Sequence, residues 1–138
     1  DQGTTSTRSI LFDIYGNPVF VSQKEIKQYF PKNGWVEHDP DEIWKKTRLT
    51  LIDAIKKSLK LKGKILTIGI TNQRETTLVW DKVSGKCIYN AIICQYRRTY
   101  NFCSKLKKNG LERLIKYKTG LLLYPYFSSI KISNCSFI

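Results

Sequence analysis

The chain has 138 residues, of which 24 are Lys or Arg and 11 are Asp or Glu, giving a net charge of +13. That length suffices for one domain with a core of its own, and is too short for a two-domain enzyme with a closing cleft. No apolar run approaches the ~20 residues that span a bilayer, and the opening "DQGTTSTRSILFD" lacks the basic flank and long apolar region of a signal peptide.

These features point to a cytoplasmic chain with no membrane partner. The absence of any Met suggests a fragment or a trimmed chain. Cys87, Cys94, Cys103 and Cys135 form no C-x-x-C pair, and His38 is the only histidine, which argues against zinc and for reduced thiols. The basic excess is made of 18 Lys and only 6 Arg, whereas nucleic-acid readers favour Arg forks. Ile outnumbers Ala 16 to 2, so an A/T-biased coding sequence accounts for both skews. A solvated basic surface is expected, not a nucleic-acid partner.

In chain order, "RSILFD" and "PVFVSQKEI" are apolar, β-branched runs separated by "IYGNP", and predict a hairpin. "FPKNGWVEHD" predicts a loop. In "DPDEIW", Asp39 is placed to cap a helix, Pro40 takes its first position and Glu42 completes a D-x-x-E capping box. The helix runs to about Leu61, with Trp44, Leu51, Ile55 and Leu59 as its apolar face. "ILTIGIT" is a continuous apolar run, predicting a strand covered on both faces. "TTLVWD" and "CIYNAIIC" predict strands around the turn "KVSGK". "RRTYNFCSKLKK" and "GLERLIKYKTG" predict two helices, the second ending at Gly120. Antiparallel strands, a crossover helix and then a buried strand indicate an α/β domain with a mixed sheet.

Four stretches carry candidate chemistry. "DQGTTSTR" sets a glycine and hydroxyl residues before a strand, where turn amides can cradle phosphate oxygens and an Asp can orient metal-bound water; it also reads as a plain polar turn. "NQRE" follows the buried run, where α/β sheets place ligand groups. Its Arg and Glu can together satisfy neighbouring hydroxyls, or simply pair with each other. "WVEHDPDEIW" is mostly accounted for by helix capping. "YPYF" reads as packing or as an aromatic pocket wall.

Taken together, "DQGTTSTRSILFD", "GNPV", "FPKNGWVEHDPDEIW", "IGITNQRETTLVWDKVSGKCIYNAI", "QYRRT" and "KTGLLLYPYFS" resemble the FGGY carbohydrate kinases, and among them the members that act on glycerol. The resemblance runs in family order over residues 1–128, with 129–138 as a divergent tail. It implies a ribonuclease-H-like, actin-like ATPase fold, incomplete at both ends here, and transfer of the γ-phosphoryl of MgATP to glycerol. The implied cofactors are ATP and Mg²⁺.

The resemblance also implies roles residue by residue. Thr4, Thr5 and Ser6 become phosphate contacts, Arg8 a nucleotide-phosphate arginine, and Asp1 the acid near the metal. Arg74 and Glu75 become ligands of the glycerol hydroxyls, and Tyr126 a further pocket residue. Cys94 stands at the family's Trp position, Tyr96 replaces the following Asp, and Tyr124 stands where an Asp is usual. The catalytic base belongs to a later segment, so this stretch alone is expected to show no turnover. The family further implies a homo-oligomer. The alternative functions are a non-catalytic, partner-binding remnant and, more weakly, a basic nucleic-acid module.

Overall fold

A computed structural model describes residues 1–93 and 99–133. The chain divides into two compact units, one of residues 1–28 and 38–74, the other of 29–37 and 75–138.

In the first unit, β1 (Ser6–Phe12) and β2 (Pro18–Glu25) form the expected antiparallel hairpin, from Ser6 opposite Glu25 to Phe12 opposite Pro18, with a bulge at Leu11/Phe12. Asp13 closes the turn. Its carboxylate accepts from the Tyr15 and Asn17 amides, both at 2.9 Å, and from Asn17 Nδ2 at 3.0 Å. Those bonds hold its pKa below the usual carboxylate value, the Asn17 side chain contributing most.

Helix α1 (Pro40–Lys60) packs against both strands. Its start is as expected in part: Asp39 accepts from the Asp41 amide at 2.9 Å, and Pro40 opens the helix. The reciprocal half of the capping box does not form. Glu42 instead meets Lys46 Nζ at 2.5 Å and accepts from the Lys27 amide at 3.3 Å, because a full charge one turn on outcompetes a distant amide.

The packed face of α1 differs from the apolar periodicity. Thr50, Ala54 and Ser58 are buried, while Trp44 and Leu59 are 68% and 70% exposed. The seam between helix and hairpin is hydroxyl-rich. Ser9 Oγ donates to Thr50 Oγ1 at 3.0 Å, Ser22 Oγ to Asp53 Oδ2 at 2.8 Å, and the Thr7 and Thr47 hydroxyls lie 3.4 Å apart. Inward-facing hydroxyls on the strands select the small polar side of the helix, since each buried hydroxyl needs a partner.

"ILTIGIT" forms no strand among the described residues, and residues 61–70 are exposed throughout, Ile70 at 88%. A covered central strand needs a hydrogen-bonded neighbour on each side. The backbone bond that reaches this stretch from another element is Gln2 N–H to Thr71 O at 2.8 Å.

The loop expected over residues 30–39 is irregular only over 30–36, in the second unit; Glu37 and His38 instead form a strand, β3 (Glu37–His38), which makes a two-stranded sheet with β4 (Ala91–Ile92). The segments around "KVSGK" pair as expected, but through single bridges at Thr77–Ile92 and Trp80–Cys87 rather than long strands. Asp81 and Gly85, at φ +70°, shape that turn, with Ser84 N–H donating to Asp81 Oδ1 at 2.6 Å. Helices α2 (Tyr100–Lys108) and α3 (Leu111–Thr119) follow, and the left-handed Gly120 ends α3 through a 2.9 Å bond to Lys116 O. The expected start of α2 at residues 97–98 lies outside the described residues. Cys103, Leu123 and Ile130 form a core, with Phe102, Leu106 and Ile115 against it. Ile130 comes from α4 (Ser128–Ser133), a helix the sequence patterning did not indicate.

Candidate functional site

The N-terminal bend is built around Gly3. Its amide donates to Ser6 O at 3.0 Å, and a Cβ there would stand 2.8 Å from the same oxygen, so only glycine fits without movement. The bend is tied back by the Ile26 amide to Thr5 O at 2.8 Å and by Gln28 Nε2 to Thr4 O at 3.5 Å. These bonds use carbonyls. Among the described residues no hydrogen bond uses the Thr4 and Thr5 amides or the hydroxyls of Thr4, Thr5 and Ser6, so the bend presents donors with no protein partner. That is the donor set an anionic oxygen requires.

Arg8 and Asp1 flank the bend and engage each other, Nη2 to Oδ2 at 2.7 Å and Nε to Oδ2 at 3.0 Å. Both groups are well solvated, so the pair contributes little stability. No group of three metal-ligating side chains occurs among the described residues. Asp1 alone, already engaged by Arg8, does not make a metal site.

The segment after the apolar run meets this bend within the same unit. Thr71 O accepts from the Gln2 amide, and Gln73 Nε2 donates to Gly3 O at 2.6 Å. Arg74 follows directly and is exposed, and among the described residues no ion pair or hydrogen bond holds its guanidinium.

In the second unit Glu75 has a left-handed backbone, φ +60°, unusual for a side-chain-bearing residue. Its Oε2 accepts from the Ser128 amide at 2.7 Å and from Ser128 Oγ at 2.9 Å, and its carbonyl accepts from Lys131 Nζ. The Ser128 amide foremost, then its hydroxyl, with the Lys131 charge adding to them, holds the Glu75 carboxyl below the ordinary value. Oε1 has no partner among the described residues and remains an open acceptor.

Tyr126 is half-buried, edge-on to Phe127 with centroids 5.5 Å apart, and Lys131 Nζ lies 5.8 Å from its ring centroid. The remainder of "YPYF" divides: Pro125 is buried and Tyr124 exposed. Cys94 and Tyr96 lie outside the described residues.

"WVEHDPDEIW" is structural, as expected. Buried Glu37 accepts from Tyr89 Oη at 2.8 Å and Asn90 Nδ2 at 3.1 Å. His38 is fully buried, and neither ring nitrogen has a partner among the described residues. Burial lowers its pKa, partly opposed by Glu42. Ser128 and Lys131 are the residues that patterning missed. The available signal was a single Lys between two Ile in "SIKIS", a charge on an otherwise apolar stretch.

No helix among the described residues is long and apolar enough to cross a membrane. Residues 1–134 match the N-terminal domain of the FGGY family of carbohydrate kinases. Glycerol kinases of Sinorhizobium fredii and Rhizobium meliloti are each 59% identical over 133 residues, which is 96% of this chain and 27% of each relative. The chain thus spans about a quarter of the length of the relatives it matches. Among solved structures, Plasmodium falciparum glycerol kinase with ADP superposes on 98% of this chain and 28% of that one, with TM-score 0.89 and 36% identity. A xylulose kinase from Lactobacillus acidophilus covers 96% of this chain and 26% of that one, at TM-score 0.85 and 26% identity. The fold is therefore that of the actin-like sugar kinases, and the chain belongs to the FGGY family of carbohydrate kinases.

Proposed function

We propose that this chain is the substrate-recognition part of an ATP-dependent glycerol kinase, residues 1–128 forming the N-terminal domain portion and 129–138 a divergent end. The observation that supports this reading is the contact of Thr71 and Gln73 with the Gly3 bend, which ties the segment leading into the exposed Arg74 to the bend whose Thr4 and Thr5 amides have no partner among the described residues.

Phosphoryl transfer demands positioning and charge compensation more than covalent chemistry by the protein. In this reading Thr4, Thr5 and Ser6 donate to phosphate oxygens, and Arg8 adds charge at the same bend. Arg74 donates to glycerol hydroxyls and Glu75 accepts from them through Oε1, with Tyr126 lining the pocket. Donors and acceptors that a bound substrate covers discriminate strongly, by roughly 10⁴-fold, against analogues that lack the matching hydroxyls. Asp1 alone does not fit a metal site, so no step is routed through it, and Mg²⁺ enters with ATP as part of the substrate. The working protein is cytoplasmic and a homo-oligomer.

The test is ADP release by the full-length kinase with glycerol, xylulose or gluconate. Glycerol is expected to be preferred by orders of magnitude. Arg74→Ala should raise the glycerol KM about 100-fold, a loss of some 2.7 kcal/mol. Cys94→Trp, which restores the family residue, should lower it. Equal turnover of the three substrates, or an unchanged KM in Arg74→Ala, refutes the assignment.

A further inference from the structure

Lys131 is completely buried, yet it carries an ammonium group. An ammonium out of water costs several kcal/mol unless its donors and charge are met. Here its Nζ donates to Glu75 O, faces the Tyr126 ring at 5.8 Å, and lies close enough to the Glu75 carboxylate to attract it. Ser128, one turn earlier in α4, holds Oε2 of the same carboxylate through both its amide and its hydroxyl.

Glu75 itself sits at φ +60°, a left-handed conformation unfavourable for a side-chain-bearing residue. Such a conformation persists only where the surroundings over-determine it. Three bonds from one short helix do so here. They fix the carbonyl and one carboxylate oxygen, and Oε1 has no partner among the described residues.

We infer that Lys131 is a positioning residue for substrate recognition: through the Glu75 carbonyl and the Tyr126 ring it locks the left-handed turn that aims Glu75 Oε1 at a substrate hydroxyl. Ser128 completes the lock. The inference rests on Glu75 being a substrate ligand, and assigns to α4 a role that the residues around Glu75 do not supply themselves. The neutral thioether of Lys131→Met keeps most of the buried volume while removing the donor and the charge.

The experiment measures glycerol and ATP KM, kcat and the thermal midpoint of the full-length kinase, for Lys131→Met, Glu75→Ala and the double variant. Lys131→Met is expected to raise the glycerol KM at least 10-fold and leave the ATP KM within twofold. In the Glu75→Ala background the same substitution should change the glycerol KM less than twofold. A Lys131→Met enzyme with normal glycerol KM, while Glu75→Ala is impaired, overturns the inference and leaves the substrate assignment standing. A normal glycerol KM in Glu75→Ala overturns both. Equal losses for glycerol and ATP that persist in the double variant show a merely structural lysine and also overturn it. Should Lys131→Met fail to fold, Ser128→Ala carries the same comparison. It keeps the ammonium, removes one bond to Oε2, and is expected to raise the glycerol KM three- to tenfold; no change overturns the inference.

Discussion

The sharpest stability prediction concerns Gly3. A methyl group there meets Ser6 O at 2.8 Å, and that oxygen is backbone, accepting the Gly3 amide at 3.0 Å, so it cannot swing aside as a side chain would. Gly3→Ala must therefore open the bend. Relieving such an overlap costs about 1 to 3 kcal/mol, and losing the amide bond adds about 1 kcal/mol, for a total of roughly 2 to 4 kcal/mol. With a urea slope of about 2 kcal/mol per molar, the unfolding midpoint falls by roughly 1 to 2 M. Gly69→Ala is the internal control. Nothing lies within 4 Å of its added Cβ and its φ is not positive, so the substitution should be neutral or stabilise by about 0.4 to 1 kcal/mol. Urea denaturation of the 138-residue chain, followed by far-UV circular dichroism, measures both. If Gly3→Ala and Gly69→Ala unfold at the same midpoint, the close approach at the bend is not what requires glycine.

The helix face can be tested the same way: Ala54→Leu, at a buried site against the hairpin, should cost 1 to 3 kcal/mol in urea titration, while Leu59→Ser at a 70% exposed site should stay within about 0.5 kcal/mol. Asp39→Ala removes the side-chain cap on the Asp41 amide and should cost about 1 kcal/mol in the same assay. His38, with its pKa lowered by burial, binds its proton more readily once unfolded, so its contribution is present above the ordinary value near 6.5 and is lost as pH falls through the lower folded value. Denaturation at pH 7.5 and 5.5 should show His38→Gln losing less stability on acidification than wild type, the difference bounded at about 1.4 kcal/mol per pH unit for one proton.

Local chemistry was legible in the sequence and long-range partnership was not. The hairpin around Asp13–Asn17, the Asp39–Pro40 helix start and the Gly120 stop are written in a few adjacent residues, because turns and caps are short-range hydrogen-bond problems. The packed face of α1 departs from its apolar periodicity, because that periodicity ignores what the strands present. Ser9 and Ser22 offer hydroxyls, and Thr50 and Asp53 answer them. The "ILTIGIT" run has the composition of a covered strand, yet strand formation depends on neighbours, and its described backbone contact is the one to Gln2. At the candidate site the Gly3 bend was legible as glycine among hydroxyls. Ser128 and Lys131 were not, since they reach Glu75 across 53 and 56 residues of chain.

The hydroxyl seam beneath α1 has a mechanical meaning. Greasy surfaces can slide on one another with little penalty, whereas directional pairs such as Ser9–Thr50 and Ser22–Asp53 mate at one offset only. Shifting the helix by a single turn, 5.4 Å, would break the Ser22–Asp53 and Ser9–Thr50 pairs as they stand. The seam thus works as a vernier: it indexes α1 to the hairpin, and Thr47, whose hydroxyl grips Gln2 Oε1 at 2.6 Å, carries that calibration to the mouth of the bend.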